Sequence, residues 1–348
     1  MKIAVLCGGI SPERNVSIAG GLAVAKALKE KGHEISLIDP AFGADGLINP
    51  EEIVSIESFP SEDELSKYKS RNFIDCINSS LFDDIEIAFN LLHGSWGEDG
   101  RIQALLELRG IPYTGSGVKA SSMAMDKTSS KMLFIAAGIP TPAWAVVKPE
   151  NFDNYEFYES LRTELGRNLV VKPNNQGSAI GINIIHGGNL DDIRNAAISA
   201  GKYSKLVLIE QYIEGRELTV GIIGDETLPV IEISPKEGFY DYTNKYTSGN
   251  TEYFCPAEVS EDISEFAQNI TQSAFNLLGC SGFGRADFRL DEDNALWLLE
   301  MNTVPGFTST SLLPKAALSV GIEFPDLCNH IIDLALEENN INVLNEEH

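Results

Sequence analysis

The first forty residues alternate between strand and helix patterns, and this order constrains the fold more than any other feature. Residues 2–6 (KIAVL) form an apolar run typical of a buried strand, and residues 33–38 form a second strand pattern. Between them, residues 16–31 have the spacing of an amphipathic helix that ends at Gly32. A strand, a helix and a strand in this order make a crossover unit, so the chain is predicted to begin as a parallel α/β domain.

The rest of the chain predicts two more folding units after this first domain. Residues 118–137 have helical spacing, and residues 168–185 have the pattern of a strand, a glycine-rich loop and a second strand. From residue 205 strand patterns dominate until a predicted helix at residues 261–278, which an apolar hairpin and a final helix follow. The predicted boundaries divide the chain into residues 1–115, 116–209 and 210–348.

Charge and cysteine content argue against several functional classes. The formal net charge of −25 disfavours nucleic acid or an anionic membrane as the main partner. No apolar run is long enough to cross a membrane, and the opening sequence MKIAVLCGGISPER is not typical of a signal peptide. The 5 cysteines are scattered without a CxxC spacing, which predicts neither disulfides nor a zinc site and favours a reducing cytoplasm.

A predicted hairpin at residues 285–302 (RADFRLDEDNALWLLEMN) carries polar side chains inside apolar strands. If its turn is centred within DEDNA, Asp287 lies opposite Glu300, and Asn302 shares the face of Glu300. Two such carboxylates repel each other unless a cation lies between them, and hard oxygen ligands suit Mg²⁺. The alternative, a solvated hairpin with unrelated acids, stays open on this pattern alone.

Strict alternation of side chains also predicts the two faces of this hairpin. It places Leu296 and Leu298 on the face of Glu300. The residues predicted on the opposite face are Ala286, Phe288, Trp297, Leu299 and Met301.

Two lysines are candidates for phosphate binding. Lys172 ends a predicted strand and enters PNNQGSAIG, whose small residues let backbone N–H groups approach an anion. Lys127 follows a separate helical run, and an ordinary hairpin with a solvated lysine is the alternative for Lys172. The segment GSGVKA at 115–120 is interpreted as a turn into a helix, because no strand–turn–helix context or downstream acid supports a dinucleotide fingerprint.

Three further candidates are Glu210 at a strand end, Glu217 seven residues later, and His93 after another strand. Glu210 and Glu217 could hold a base and a ribose diol in a hinge between two lobes, although exposed acids in a strand–turn–strand explain them equally well. His93 follows a buried strand, at the edge where α/β sheets bind ligands, although a lone histidine is more often structural.

Together, eight segments resemble the D-alanine–D-alanine ligases of the ATP-grasp superfamily. They occur in the family's order and extend from the first strand to beyond residue 314. The segments are GGISPERNVS (8–17), HGSWGEDG (93–100), YTGSG…MDK (113–127), VVKPNNQGSAIG (170–181), EGRELTV (214–220), YDYTNKY (240–246), GRADF (284–288) and LLEMNTVPGFTSTSLLP (298–314).

The resemblance implies a three-domain ATP-grasp fold with a Rossmann-like N-terminal domain and ATP held between the second and third domains. It also implies a reaction. The carboxylate of one D-alanine attacks the γ-phosphate of MgATP, and the amine of a second D-alanine attacks the resulting acyl phosphate. Loss of phosphate then gives D-alanyl-D-alanine for peptidoglycan. A cytoplasmic homodimer that binds small molecules but neither nucleic acid nor membrane is expected.

For the nucleotide, the resemblance implies a set of phosphate, base, ribose and metal contacts. The implied residues are Lys127, Lys172 and Lys245 for phosphate, Glu210 and Ile213 for adenine, Glu217 for ribose, and Asp287, Glu300 and Asn302 for Mg²⁺. Two metal ions are expected, with Mn²⁺ as a substitute.

For the amino acids, the resemblance implies a second set of residues. Those implied are Glu13 for the first ammonium, Arg285 and the Gly306 N–H for the oxyanion, Ser311 and Leu312 for the second carboxylate, and His93 near the second substrate. Ser178 and Tyr246 are implied to hydrogen-bond with Glu13 and to tie a lid, residues 236–252, to the first domain.

Three positions depart from the family's usual pattern, and the second substrate therefore stays open. Gln176 stands where an acid is common, Gly20 where serine is common, and Asn15 where a charged residue is common. A related ligase that uses D-lactate, D-serine or another amino acid is the alternative. A non-catalytic nucleotide-binding regulator is disfavoured because the lysines, Arg285 and the implied metal ligands are all retained.

Overall fold

The computed structural model of the protein describes residues 1–52, 60–236 and 251–346. Its first sheet is the predicted parallel sheet, and helices flank it. The elements are β1 Lys2–Leu6, α1 Arg14–Glu30, β2 Glu34–Ile38, α2 Glu62–Leu65, α3 Arg71–Ile77, β3 Ile87–Asn90 and α4 Arg101–Arg109, with short 3-10 turns at Pro40–Asp45, Pro50–Glu52 and Ser80–Phe82. The strand order is β2–β1–β3, and Ile3 pairs with both Ile35 and Ile87 in parallel register. The parallel α/β prediction is therefore confirmed.

The second sheet is antiparallel, has the strand order β4–β7–β5–β6, and is covered by two helices. Its elements, with the two helices that precede it, are α5 Val118–Met125, α6 Lys127–Ala136, β4 Trp144–Val147, a 3-10 turn at Pro149–Asn151, α7 Tyr155–Leu165, β5 Leu169–Pro173, β6 Asn183–Ile185, α8 Leu190–Ala200 and β7 Val207–Gln211. Tyr158 of α7 and Ile193 of α8 pack against Val171 and Ile209 of the sheet. The last strand of this sheet, β7, extends to Gln211 and therefore spans the predicted boundary at residues 209 and 210.

The third sheet is larger and also antiparallel, with the strand order β11–β10–β8–β12–β13 and with β9 paired to β8. Its elements are β8 Arg216–Ile223, β9 Glu226–Thr227, β10 Ile231–Pro235, β11 Thr251–Phe254, α9 Glu261–Leu278, β12 Phe283–Leu290, β13 Leu296–Asn302, α10 Leu312–Ser319 and α11 Phe324–Glu346. The helix predicted at 261–278 has these bounds because Ser260 caps its first turn and Gly279 ends it in a left-handed conformation.

The single helix predicted at 118–137 is wrong, because Asp126 divides it into α5 and α6. Asp126 has an extended backbone, with φ −86° and ψ 98°, and its side chain accepts a hydrogen bond from the Ser129 N–H. That contact starts a new helix at Lys127. Ala124 and Phe134 then pack with Phe288 and Leu298, so α5 and α6 lie against the third sheet although they precede the second one in sequence.

A β-bulge corrects the predicted faces of the hairpin. Asp287 pairs with Glu300 as predicted, but the register shifts by one residue before the next pair, Phe288 with Leu298. Strict alternation therefore fails between Leu298 and Glu300. Leu296 and Leu298 lie in the same buried core as Ala286 and Met301, not on the face of Glu300.

The last helix returns to the first domain. Lys31, which directly follows α1, forms an ion pair with Asp326 of α11, and His33 Nε2 lies 2.9 Å from Asn329 Oδ1. Within the described ranges, none of the helices combines the length and the hydropathy needed to cross a membrane.

Candidate active site

Strand β12, which lies between β8 and β13 in the third sheet, presents an arginine–carboxylate pair. Arg285 donates from Nε to Asp287 Oδ1 at 2.8 Å and from Nη2 to Asp287 Oδ2 at 2.7 Å. Thr219 on β8 and Asn302 on β13 donate to the same carboxylate, at 2.7 and 2.9 Å. Asp287 is therefore held from its own strand and from both neighbouring strands, as expected for a group whose orientation matters.

Glu300, opposite Asp287 in the hairpin, forms an ion pair with the first residue of α6. Its Oε2 lies 2.8 Å from Lys127 Nζ, which also donates to the Gln176 carbonyl at 2.8 Å. Burial opposes the charge on this lysine, but the ion pair with Glu300 prevails and raises the pKa of Lys127. Lys127 thus joins the predicted metal hairpin to the glycine-rich loop.

The predicted metal ligands fit a hard divalent cation by their chemistry and position. Asp287 and Glu300 are direct cross-strand partners, and Asn302 pairs with Arg285 two residues further along the hairpin. Carboxylate and amide oxygens are what Mg²⁺ prefers, completed by water and phosphate. In the described part of the chain no three or more His, Cys, Asp or Glu side chains are grouped to hold a metal, so a cation here would depend on Asn302 and on phosphate oxygens.

Glu210 on β7 is buried between two lysines, one of which the sequence analysis missed. Lys172 of β5 forms an ion pair with Oε1, and Lys131 Nζ lies 3.0 Å from Oε2. Burial alone would raise the pKa of Glu210, but the two lysines reverse the direction and lower it. Since the side chain of Glu210 is engaged by lysines, a contact with adenine would fall to its backbone. Lys131 follows Lys127 by four residues on a predicted helix, a spacing that could have identified it.

The hinge between the second and third sheets contains the other implied nucleotide residues. Arg289 of β12 donates to the Ile213 carbonyl at 3.1 Å, and its Nη1 lies 3.7 Å from Glu217 Oε2. These contacts bring Ile213 and Glu217 to one arginine. The two residues follow Gln211, the last residue of the strand that carries Glu210, by two and six positions. The implied base and ribose residues therefore line one short segment between the lobes.

Glu13 lies where the first domain meets the glycine-rich loop. Its buried carboxylate accepts a hydrogen bond from the Ser178 hydroxyl, the contact that the resemblance implies. A Cβ at Gly94 or Gly177 would lie only 2.9 or 3.0 Å from Glu13 Oε2. Glycine at both positions lets two loops close around this carboxylate. Gln176 does not join them by its side chain, which donates to the Tyr203 carbonyl at 3.3 Å.

Glu98 is a second acid in this region that the sequence analysis did not select. It is buried, and its Oε2 accepts from the Gly94 N–H at 2.6 Å. Its burial, and then the nearby charge of Glu13, raise the pKa of Glu98 well above its usual range. The HGSWGEDG motif therefore contributes an acid as well as His93 to the site.

The second-substrate residues lie in the loop after the hairpin. Ser311 precedes α10, but its Oγ accepts from the Thr308 N–H at 3.0 Å instead of capping the helix. Gly306 lies beside it, since a Cβ there would be 3.5 Å from Ser311 Oγ, and Leu312 is buried. Lys245, Tyr246 and most of the expected lid at 236–252 lie outside the described residues.

His93 is buried beside this loop, and its ring hydrogen-bonds to the backbone of Val304. Its Nε2 is buried and has no hydrogen-bond partner within the described part of the chain. Burial, more than the charge of Arg285, lowers the pKa of His93 from 6.5 to about 4. The imidazole is therefore neutral near pH 7 and can act as a polar contact rather than as a cation.

This shift predicts an acid-sensitive contribution to stability. Between pH 6.5 and about 4 the unfolded chain binds a proton that folded His93 refuses, so stability present above pH 6.5 is lost as the pH falls. His93→Gln should reduce this loss by up to about 3 kcal/mol. Denaturant unfolding at several pH values would measure it, with exposed His330→Gln as the control. Parallel pH curves for His93→Gln and the wild type would contradict the assignment.

Comparisons of the sequence with family models and with known proteins all indicate the same family. One family model, described as D-ala D-ala ligase N-terminus, matches residues 2–116, and another, described as D-ala D-ala ligase C-terminus, matches residues 133–333. The D-alanine–D-alanine ligase of Methylacidiphilum infernorum is 41% identical over 333 residues, covering 96% of this chain and 95% of the relative. That of Desulforamulus reducens is 40% identical over 345 residues, covering 97% and 99%.

Solved structures agree with the sequence comparisons. A crystal structure of D-alanine–D-alanine ligase from Bacillus anthracis superposes with a TM-score of 0.78 at 32% identity, covering 98% of this chain and 99% of the other. The same protein complexed with ATP gives a TM-score of 0.77 at 30% identity, with the same coverage.

Proposed function

The chain belongs to the D-alanine–D-alanine ligase family, and from that premise we propose how its residues join two D-alanines to D-alanyl-D-alanine for peptidoglycan, with ATP converted to ADP and phosphate. The observation that carries the proposal is the meeting of Lys127, Glu300 and Asp287 beside the glycine-rich loop. Phosphoryl transfer needs positioning and neutralised charge more than a protein nucleophile. This cluster supplies both inside a chain whose net charge is −25.

In the first step, the carboxylate of one D-alanine attacks the γ-phosphate to give an acyl phosphate. Glu13 would hold the ammonium of that D-alanine, and the Ser178 hydroxyl that donates to Glu13 would fix its orientation. Lys127 and Lys172 would contact ATP phosphates. Glu217 and the backbone near Ile213 would bind the nucleoside, which the contacts of Arg289 in the hinge support.

Asp287, Glu300 and Asn302 would hold magnesium at the edge of this site. Bound Mg²⁺ neutralises charge on the phosphates. The carboxylates have cationic partners in Arg285 and Lys127, so each would exchange or share a partner when a cation binds. Two ions, replaceable by Mn²⁺, are proposed from the family resemblance.

In the second step, the amine of another D-alanine attacks the acyl phosphate, and phosphate leaves. Arg285 and the Gly306 N–H would stabilise the oxyanion of the tetrahedral intermediate. Ser311 and the backbone of Leu312 would bind the second carboxylate. His93 would lie near this substrate as a neutral ring, which its buried position supports.

Several parts of the proposal rest on the family alone. Lys245 would reach the γ-phosphate, and Tyr246 would join the Ser178–Glu13 contact. The domain boundary near residue 115 is supported by the N-terminal family match, which ends at residue 116. We further propose a homodimer located in the cytoplasm, where ATP is available and where the free cysteines would stay reduced.

The function predicts phosphate release that requires D-alanine. Purified protein with MgATP and D-alanine should release phosphate in step with the dipeptide, and near pH 7.5 it should form little ester with D-lactate. A panel of D-alanine, L-alanine, D-serine and D-lactate, with product analysis, measures this. Phosphate release that ignores D-alanine would contradict the proposal, and a preference for D-lactate or D-serine would favour the related ligases.

A further inference from the structure

The sequence analysis and the proposed reaction leave Lys131 without a role, although it is one of the largest side chains with no exposure. It is 0% exposed, and its ammonium has three partners. Nζ donates to Thr141 Oγ1 at 2.6 Å and to the Pro142 carbonyl at 3.2 Å, and it lies 3.0 Å from Glu210 Oε2. Two of the three N–H donors of the ammonium therefore have acceptors, and the ion pair with Glu210 balances its charge. A buried lysine is costly unless it is paired in this way.

The partners of Lys131 belong to a different lobe from the helix that carries it. α6 packs through Phe134 into the core of the third sheet. Glu210 lies on β7 of the second sheet, and Thr141 and Pro142 lead into β4 beside it. Lys127, one turn earlier on α6, pairs with Glu300 of the third sheet. One helix therefore pairs one lysine with a carboxylate of each of the two lobes between which ATP would bind.

The charge of Lys131 also determines how much positive charge remains at Lys172 to attract the nucleotide phosphates. Lys172, implied as a phosphate contact, shares Glu210 with Lys131. Two lysines and one glutamate leave a net charge of +1, whereas Lys172 and Glu210 alone would leave zero. Without Lys131, the acid would be balanced by Lys172 alone, and Lys172 would attract phosphate less.

We propose that Lys131 is a positioning residue for ATP: it fixes Glu210 between the lobes and so leaves the charge of Lys172 available to the nucleotide phosphates. This inference rests on the proposed nucleotide site but not on the identity of the second substrate. Lys131 touches neither substrate nor metal in this role. It acts through Glu210.

The test compares the full-length Lys131→Met and Lys131→Arg variants with Lys26→Met, an exposed lysine in the middle of α1. Lys131→Met should raise the KM for ATP roughly 10-fold or more, as expected when a charge-assisted contact is lost, and leave the KM for D-alanine within about 2-fold. Lys131→Arg should recover most of the ATP affinity, because it keeps the charge. Lys26→Met should match the wild type.

A merely structural lysine predicts a different pattern. The melting temperature would fall while both KM values stayed unchanged, or both would change together, and either result would overturn the proposal. If Lys131→Met does not fold, Thr141→Val keeps the lysine but removes one acceptor, and it should raise the KM for ATP by about 2–5-fold. An unchanged KM for ATP in Thr141→Val would then count against the role.

Calorimetry separates this inference from the ligase assignment. The magnesium complex of a non-hydrolysable ATP analogue is titrated into each protein without D-alanine. Weaker binding by Lys131→Met supports the positioning role whatever the second substrate proves to be. Equal binding by Lys131→Met and wild type refutes it, even if the wild type makes dipeptide.

Discussion

Glu300→Gln is expected to lower turnover by about 10²–10³-fold while the protein stays folded. Glu300 lies directly opposite Asp287 and forms a 2.8 Å ion pair with Lys127, so its charge lies at the centre of the proposed phosphate and metal site. Glutamine has nearly the same shape and can still accept from Lys127. The substitution therefore removes the charge and leaves the packing of the hairpin.

The control is Glu292→Gln, the same change at an exposed position in the turn of the same hairpin. It should keep turnover and stability near the wild-type values. Turnover is measured from phosphate release over a range of Mg²⁺ concentrations, and folding from circular dichroism and the melting temperature. A Glu300→Gln protein with near wild-type turnover at low Mg²⁺ would show that this hairpin does not hold the metal.

Asp39→Asn should produce the largest loss of stability that we expect from a conservative substitution in the first domain. Asp39 is 0% exposed, forms an ion pair with Arg14, and accepts from the backbone N–H groups of Gly9 at 3.0 Å and Ala41 at 2.9 Å. The Arg14 guanidinium also lies 4.5 Å from the Tyr68 ring centroid. Asparagine leaves the buried Arg14 without its counter-charge, a loss of about 3–5 kcal/mol in the free energy of unfolding.

Asp83→Asn is the matched control, because Asp83 forms an ion pair with Arg109 at the surface, with 61% of its side chain exposed. The loss there should be below about 1 kcal/mol. Denaturant unfolding measures both variants. The double variant Arg14→Met with Asp39→Asn should be less destabilised than the sum of the single variants, because it removes both charges. Equal losses for Asp39→Asn and Asp83→Asn would refute the buried-pair account.

This pair bears on the reaction as well as on stability. Arg14 follows Glu13 in the chain, and it donates to the Gly9 carbonyl at 2.6 Å, across the loop that precedes α1. The loop is therefore held at both ends around Glu13. We expect Asp39→Asn to weaken D-alanine binding more than ATP binding, because the loop contacts Glu13 and not the hinge.

Features encoded by short-range pattern were predictable from the sequence. The parallel sheet follows from apolar runs on either side of one amphipathic helix, and the pairing of Asp287 with Glu300 follows from a turn between two strands. The contact between Ser178 and Glu13 spans 165 residues, and no local pattern indicates it. It was expected only because several motifs together resemble one family.

Tertiary structure decided the features that depend on partners distant in sequence. The bulge between Leu298 and Glu300 places Leu296, Leu298 and Met301 in one core, where strict alternation would have put the two leucines on the face of Glu300. Residues 118–137 have continuous helical spacing, but Asp126 starts a new helix and its side chain also accepts from Asn174 at 2.8 Å. The local spacing of apolar residues does not predict these features. The burial and the hydrogen bonds that decide them come from elements distant in sequence.

The same reason explains which site residues could not be identified from the sequence. In the sequence alone, Lys131 is an ordinary charged residue of a predicted helix and Glu98 an ordinary charged residue of a loop. Their significance comes from burial: Lys131 lies against Glu210 from another sheet, and Glu98 lies near Glu13 from another loop. The sequence by itself determined the family, the order of the elements and the residue types available for phosphoryl transfer. Only the folded chain decided which charges are taken out of water together, because the cost of burying a charge depends on neighbours that approach through space.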